Sequence, residues 1–363
     1  GRWRELLRKH WTGSEPGDPG PSVSGVSVIV PARNEEDHIV DVLQDLYAQR
    51  GMDGLLEVIV VLDHCTDRSA ALVEGMRSAW PALQVHALTD VSGKKAAITT
   101  GVRLARYPLI LLTDADVRMG PERVRLVAAE MERHAADLLA LPVRWLPGEG
   151  FLAGLQQDEQ AALMGAAMAT GLGGVPVLVN GANLAFRREA FERVGGYQGD
   201  AWASGDDMFL LQRMRKAGSR IAVSTLDAVR VDVSPERGWR AWWQQRLRWA
   251  GKMRAYRERD GLFAGLLAVL FPWLLLVATI VVARQLRMGE RALYSVLLMA
   301  GAWVLWARPV IGLAMDVKER WSGTRPGPFA LRTLVSLLAF TLYAPIIAIV
   351  SIFARPTWKQ RRV

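Results

Sequence analysis

The chain has 363 residues, 51% of them hydrophobic, and a formal charge of +9. Its single cysteine, Cys65, excludes an intrachain disulfide and any cysteine-based zinc site. The basic excess lies beside tryptophans and long apolar runs, as in "ERGWRAWWQQRLRWAGKMRAYRER" (236–259), which favours an anionic membrane surface over nucleic acid as partner.

In chain order, residues 1–24 read as a basic segment, "GRWRELLRKHW", followed by the Pro/Gly-rich linker "SEPGDPGPS" at Ser14–Ser22. A regular rhythm then begins. Short apolar runs at 26–31, 56–62, 83–88 and 108–113 predict strands. Between them lie helix-like stretches such as "EEDHIVDVLQDLYAQ", with Ile39, Leu43, Leu46 and Tyr47 at helical spacing. Strands alternating with helices at this interval predict an α/β domain with a mostly parallel sheet, placed at 25–235. The first run ends in "PARNEE", the second in "DHCTD" and the fourth in "TDADV". Each polar cluster therefore follows the carboxyl end of a buried strand, the edge at which open α/β sheets bind ligands.

After about residue 261 the composition changes. Segments 262–283 and 329–353 are long enough to cross a hydrocarbon layer of roughly 30 Å. A third segment, 292–315, is interrupted by Arg308-Pro309 and reads as a weaker or broken span. Residues 236–260 read as an amphipathic interfacial helix, with Trp239, Trp242, Trp249, Met253 and Tyr256 in one stripe.

The chemistry concentrates in a few motifs. Asp114 and Asp116 in "TDADV" are paired carboxylates at a strand end, a pattern that suits Mg²⁺ or Mn²⁺ bridging to phosphates. Asp63, one residue past its strand, is placed to accept hydrogen bonds from a base or ribose, whereas Asp67 suits either a site or an N-cap. Lys94 and Lys95 open a helix, where lysines and N–H groups both favour phosphate. In "GDDMFLLQRMRKAG" one aspartate is enough to cap the helix, so the second of Asp206 and Asp207 is available as a general base. Gln245, Arg248 and Trp249 at i, i+3 and i+4 form one helical patch offering an amide, a fixed cation and a flat ring. Gln244 is expected to face solvent or to bond locally.

Taken in order over residues 26–252, these pieces resemble the family 2 glycosyltransferases of GT-A fold. The likeness is to their membrane-bound branch, which includes cellulose, chitin and hyaluronan synthases and ceramide glucosyltransferase. "VSVIVPARNEE" is similar to the opening strand and P-x-x-N-E turn, "VVLDHCTD" to the first aspartate motif and "GKKAA" to the lysine motif. "TDADV" matches the D-x-D, "VNGANLAFRREAFERVGGY" the acceptor-side segment and "QRLRW" the Q-x-x-R-W, while "GDD" replaces the usual E-D. The resemblance implies nucleotide-sugar contacts from Pro31, Ala32, Glu35, Asp63, Lys94, Asp114 and Asp116, with metal held at Asp116 and Asp114. It further implies Asp207 as catalytic base, or Asp206 if the register slips by one. Gln245, Arg248, Trp249 and Asn183 are assigned to the acceptor and diphosphate side.

The function implied is inverting, metal-dependent transfer of a sugar from a nucleotide donor, with UDP the expected carrier, to a hydroxyl of a lipid or carbohydrate acceptor. The expected setting is a multi-pass protein of a bacterial inner membrane, with its catalytic domain in the cytoplasm. So few spans fit single transfer to a lipid better than a polymer channel. A processive synthase and an inactive scaffold are the alternatives. A dinucleotide oxidoreductase is disfavoured because "VPARNEE" lacks a glycine-rich turn. Three full spans would also place the basic tail "RPTWKQRRV" outside, against the positive-inside tendency, unless the Pro272 segment dips in and returns or the tail is an exception.

Overall fold

The computed structural model describes residues 2–11, 25–199, 205–252, 259–288, 293–322, 329–354, 357–359 and 361–362. An amphipathic helix, α1 (Arg2–His10), comes first. The alternating core follows as β1 (Val26–Ala32), α2 (Ile39–Tyr47), β2 (Leu56–Leu62), α3 (Ser69–Arg77), β3 (Leu83–Ala87), α4 (Lys94–Leu104) and β4 (Leu109–Thr113). Next come β5 (Val117–Met119), α5 (Arg123–Arg133), β6 (Leu138–Ala140), β7 (Val143–Trp145) and the long α6 (Gly150–Leu172). The α/β region closes with β8 (Asn183–Arg187), α7 (Arg188–Arg193), α8 (Asp206–Lys216), β9 (Ile221–Val223) and β10 (Val231–Val233).

Seven strands form one sheet in the order β3-β2-β1-β4-β8-β6-β9, and β5-β10-β7 form a second. Strands β1 to β4 are parallel, with Val28 opposite Val58 on one side and Leu111 on the other. Strand β8 runs antiparallel to both β4 and β6. The near-continuous burial of "VSVIVPA" and "LILLT" is what a parallel sheet covered on both faces requires. Strand order reverses between β1 and β4, so the crevice beyond their carboxyl ends is a topological switch point.

The C-terminal third is helical: α9 (Trp239–Lys252), α10 (Arg259–Arg287), α11 (Leu293–Ser322) and α12 (Phe329–Phe353), then a hairpin of β11 (Thr357–Trp358) and β12 (Arg361–Arg362). Three of these helices are long and apolar enough to cross a membrane, over Leu270–Arg287, Leu293–Ser322 and Leu331–Phe353. Helix α11 runs unbroken through Arg308-Pro309, which corrects the expected interruption. Proline is tolerated in apolar helices whose neighbours re-satisfy the freed carbonyl.

Two of the apolar helices are gripped by the α/β domain. Helix α11 packs on α6 where Gly165 has no side chain; a Cβ there would lie 2.9 Å from the Leu313 Cβ. Helix α1 braces the same region, its Leu7 buried and its Arg4 Nε donating to Asp316 Oδ2 at 2.6 Å. Helix α12 lies along α6 and α9. Near its start Ser336 Oγ donates to Asp158 Oδ2 at 2.7 Å and Arg332 Nε stands 3.4 Å from the same oxygen. Lys318 of α11 closes that node with its own ion pair to Asp158. Toward the other end of α12, Ile347 joins Leu155, Trp242 and Leu247 in a small core, with the Tyr343 ring 4.9 Å from that of Trp242. The expected interfacial stripe is therefore split. Trp242 is buried against α12, Trp239 is exposed, and Met253 and Tyr256 lie outside the described residues.

Candidate active site

The loops after β1 and β2 are stitched into one platform. Asn34 takes a left-handed backbone (φ 52°), and its Oδ1 accepts from the Thr66 amide at 2.8 Å. The Glu36 amide donates to Asp67 Oδ2 at 3.0 Å, and the Arg68 amide donates back to Glu36 Oε2 at 3.1 Å. Asp67 also accepts from the Ser69 amide at 3.0 Å at the start of α3, so capping and loop stitching occupy this side chain. Pro31 and Ala32 are strand residues at the rim, and the Ala32 carbonyl accepts from the Asp63 amide at 2.8 Å. Asp63 is almost fully buried; its Oδ2 accepts from the Gly93 amide at 2.9 Å and its Oδ1 lies 3.0 Å from His64 Nδ1. It ties the end of β2 to the first turn of α4.

That turn delivers Lys94. Its Nζ sits 2.7 Å from Asp114 Oδ1 and 3.3 Å from Asp206 Oδ2, joining the carboxyl end of β4 to the start of α8. Gly181 makes this meeting possible: a Cβ there would come within 2.7 Å of Asp206 Oδ2 and 3.3 Å of Lys94 Nζ. The Gly181 amide also donates to Asp207 Oδ2 at 3.3 Å. The two aspartates thus differ. Asp206 is buried against the lysine, while Asp207 is half-buried beside the backbone of the 180–182 turn.

Carboxylates outnumber cations here, and their protonation shows it. Burial pushes the Glu35 carboxyl up to about 7, and Asp116 and Asp114 add to the effect against the opposing pull of Lys359. Burial likewise raises Asp114 to about 6, with Lys94 opposing and Asp116 reinforcing. Burial alone would lower Lys94, but Asp114 and Asp206 outweigh it and hold the ammonium charged. A cavity of about 190 Å³ opens beside Asp116, lined also by His38, Asp41, Arg118, Leu146 and Ser234.

The Q-x-x-R-W segment lies on α9, which packs against the apolar helix α12. Burial lowers Arg248, and the negative charges of Glu236 and Asp116 act against that shift. Gln245 Nε2 donates to Glu236 Oε1 at 3.2 Å, and its Oε1 accepts from Arg246 at 2.6 Å. Its amide fastens α9 to the segment after β10. The Trp249 ring lies 6.2 Å from Trp145 and under the Arg246 guanidinium at 4.4 Å. Asn183 does not face the cleft: it is fully buried, with Nδ2 donating to the carbonyls of Pro142 and Val229 and Oδ1 accepting from Arg123 at 2.7 Å. It supports the floor under β4 instead of meeting an acceptor, because every polar atom of its amide is already used inside.

Three residues of this architecture had no sequence assignment. Arg246 is buried, pairs with Glu159 and stacks on the rings of Trp145, Trp242 and Trp249. Arg123, fully buried, donates to Thr113 Oγ1 at 3.0 Å directly behind the D-x-D. Gly181 is the third. The only signal in the sequence was the "NGAN" turn, which marks a bend without saying what approaches it.

Among the described residues no three His, Cys, Asp or Glu side chains form a ready cage for a metal. The donor set nonetheless fits a hard divalent cation. Asp114 and Asp116 present carboxylate oxygens that repel each other, and Mg²⁺ is usually held by one or two carboxylates with phosphates completing the shell.

A mixed sheet with acidic loops gathered at its switch point is the layout of GT-A glycosyltransferases, and the fold agrees. The mannosyltransferase PcManGT from Pyrobaculum calidifontis, solved with GDP-Man and Mn²⁺, matches with a TM-score of 0.59 at 22% identity, covering 94% of each chain. The chain belongs to glycosyl transferase family 21, whose model matches residues 5–352. The family shown is thus family 21, and the likeness to family 2 is one of motifs. An uncharacterized glycosyltransferase of Escherichia coli, YaiP, is 26% identical over 71% of this chain and 65% of its own length. Ceramide glucosyltransferase 1 of Caenorhabditis elegans is 21% identical over 60% of this chain and 47% of its own length. The chain thus spans less than two thirds of these relatives.

Proposed function

We propose that this glycosyltransferase transfers one sugar, with inversion, from a nucleotide diphosphate donor to a hydroxyl of a lipid at the membrane surface. One observation carries the reading. Lys94 bridges Asp114 of the D-x-D to Asp206 of the acid pair, so three motifs spread over more than a hundred residues of sequence share one point.

The roles follow from placement. The platform of Asn34, Glu35 and Asp63 receives the nucleoside, and Lys94 and Arg248 supply positive charge for the diphosphate. Asp114 and Asp116 would hold Mg²⁺ or Mn²⁺, which supplies Lewis-acid stabilisation of the leaving diphosphate. Asp206 is committed to Lys94, which leaves Asp207 as the base that takes the acceptor proton. Attack from the face opposite the diphosphate gives a single displacement and an inverted anomeric centre. Trp249, under the Arg246 guanidinium, offers an apolar floor for sugar or acceptor.

Lipid as acceptor class is supported by the ceramide glucosyltransferase relative and by the apolar helices beside the cleft. The donor base is open to test, since the resemblance implies UDP whereas the archaeal mannosyltransferase was solved with GDP-Man. The deciding experiment is nucleotide release by the detergent-purified protein over UDP- and GDP-sugars, with Mg²⁺ or Mn²⁺ and a membrane-lipid extract. Metal-dependent release that rises with lipid and yields a glycolipid is expected. Long sugar chains would instead establish a processive synthase, and no release with any donor would leave an inactive scaffold.

A further inference from the structure

The last described residues of the chain return to the first loop of the sheet. The hairpin pairs Thr357 with Arg362 and Trp358 with Arg361, which puts Lys359 at its turn. Lys359 is held at φ 46°, in the left-handed region that side-chain-bearing residues seldom occupy. Its Nζ donates to the Asn34 carbonyl at 2.8 Å and to Glu35 Oε2 at 3.1 Å, while Arg33 Nε donates to the Lys359 carbonyl at 3.3 Å. The contact is therefore two-way, and its target is the loop assigned to the donor. A strained backbone that aims a cation at a buried carboxylate is the kind of outlier that marks function.

From this we infer that the C-terminal hairpin is part of the donor site, with Lys359 as a positioning residue that fixes Asn34 and Glu35 for a nucleoside diphosphate sugar. The inference rests on the donor reading of that loop. Glu35 feels the charges of Asp114 and Asp116, and Lys359 is the cation in direct contact with it, so removing Lys359 would leave that repulsion less opposed. Lys359 keeps Glu35 aligned and leaves the two aspartates for metal and diphosphate.

The same contact fixes topology. A tail that touches the catalytic loop lies on the catalytic side of the membrane, so the helices between make an even number of crossings. Helix α12 is the one that stays: Asp158 holds it near its start, and Leu155, Trp242 and Leu247 hold it near its end. Helices α10 and α11, joined by the Trp303 Nε1 to Thr279 Oγ1 hydrogen bond at 3.0 Å, then cross as a hairpin. The basic tail falls on the cytoplasmic side, as the positive-inside tendency requires.

Three readouts test this on the full-length protein in membranes. Carbodiimide treatment should join the Lys359 amine to the Glu35 carboxyl, seen as a linked peptide by mass spectrometry and absent in Lys359→Arg. Lys359→Ala should raise the donor KM about tenfold, the effect expected for one charged hydrogen bond, with kcat within about twofold. Lys359→Arg should recover most of that loss. Lys359→Cys, combined with Cys65→Ser, should react with an impermeant maleimide in inverted vesicles and not in right-side-out ones. The inference fails if no link forms and Lys359→Ala keeps the parental KM, or if the label enters from outside. A link together with no turnover by the parent on any donor would remove the donor reading while leaving the docked hairpin, so the two failures are distinguishable.

Discussion

Two buried charge clusters, one in the cleft and one under α12, are built on opposite plans. Around Asp158 a single carboxylate meets Lys318 and Arg332 as ion-pair partners and accepts from Thr333 and Ser336, so charge is answered by charge. In the cleft, five carboxyl groups (Glu35, Asp114, Asp116, Asp206 and Asp207) gather round Lys94, Arg248 and Lys359, and two of them, Glu35 and Asp114, are pushed up to about 7 and about 6. The first cluster is a fastener between a soluble sheet and apolar helices. The second is left electrostatically unfinished, in a form that a metal and a diphosphate together would complete. Buried charge in one chain can therefore serve architecture or chemistry, and the degree of satisfaction tells which.

Substitutions can break this contrast from either side. The largest effect should come from Asp207→Asn, which should lower kcat by about 10²–10⁴ with donor binding nearly unchanged, since general-base assistance is of that order. Nucleotide-release kinetics beside equilibrium binding of the nucleotide diphosphate would show it; an equal loss of both would make Asp207 structural. Asp158→Ala should do the reverse. It removes the buried carboxylate that Lys318 and Arg332 both meet and should cost about 3 kcal/mol in unfolding free energy. Thermal unfolding in detergent should report that loss, while the folded fraction keeps its kcat/KM.

Gly181→Ala is aimed at the junction itself. Its methyl would meet Asp206 Oδ2 at 2.7 Å and should misplace the Lys94 bridge, lowering kcat/KM about tenfold to a hundredfold with a small change in Tm. The last effect is a pH dependence, spread over several pH units. Glu35 and Asp114 have raised folded-state values, so the native state holds extra protons between the ordinary carboxylate range and about 7. Their contribution is complete below the ordinary range and is lost as pH rises through about 6 to 7. Stability should fall across that window. Glu35→Gln, whose side chain still faces Asp114, Asp116 and Lys359, should flatten part of the slope, by up to about 3 kcal/mol. Tm measured from pH 5 to pH 8 would show an unchanged slope if Glu35 were ordinary.

Local pattern made the sheet legible. The run "LEVIVVL" is β2 from Leu56 to Leu62, and "PLILLT" holds β4, because unbroken apolar stretches flanked by polar clusters have few other uses. The strand-end clusters converge for the same reason: parallel strands send their carboxyl ends to one edge. What stayed hidden depends on long-range partners. Asp158 meets Ser336 from 178 positions away and Lys359 meets Glu35 from 324, and no periodicity encodes either. Asn183 was misassigned because its segment's likeness to an acceptor motif says nothing about which way one amide points. Pro309 was misjudged because a proline inside an apolar helix looks like a break when its neighbours are unknown.

The seam between α12 and the pair α6 and α9 also bears on how this protein can be handled. A fragment cut after Lys252 would keep every strand of both catalytic sheets and every carboxylate of the cleft. It would also bare Leu155, Trp242 and Leu247, leave Asp158 facing solvent or empty space, and lose the hairpin that steadies Glu35. Expression as a detachable soluble head should thus yield aggregating material, and productive engineering would have to carry α12 along or replace its inner face with a designed cover.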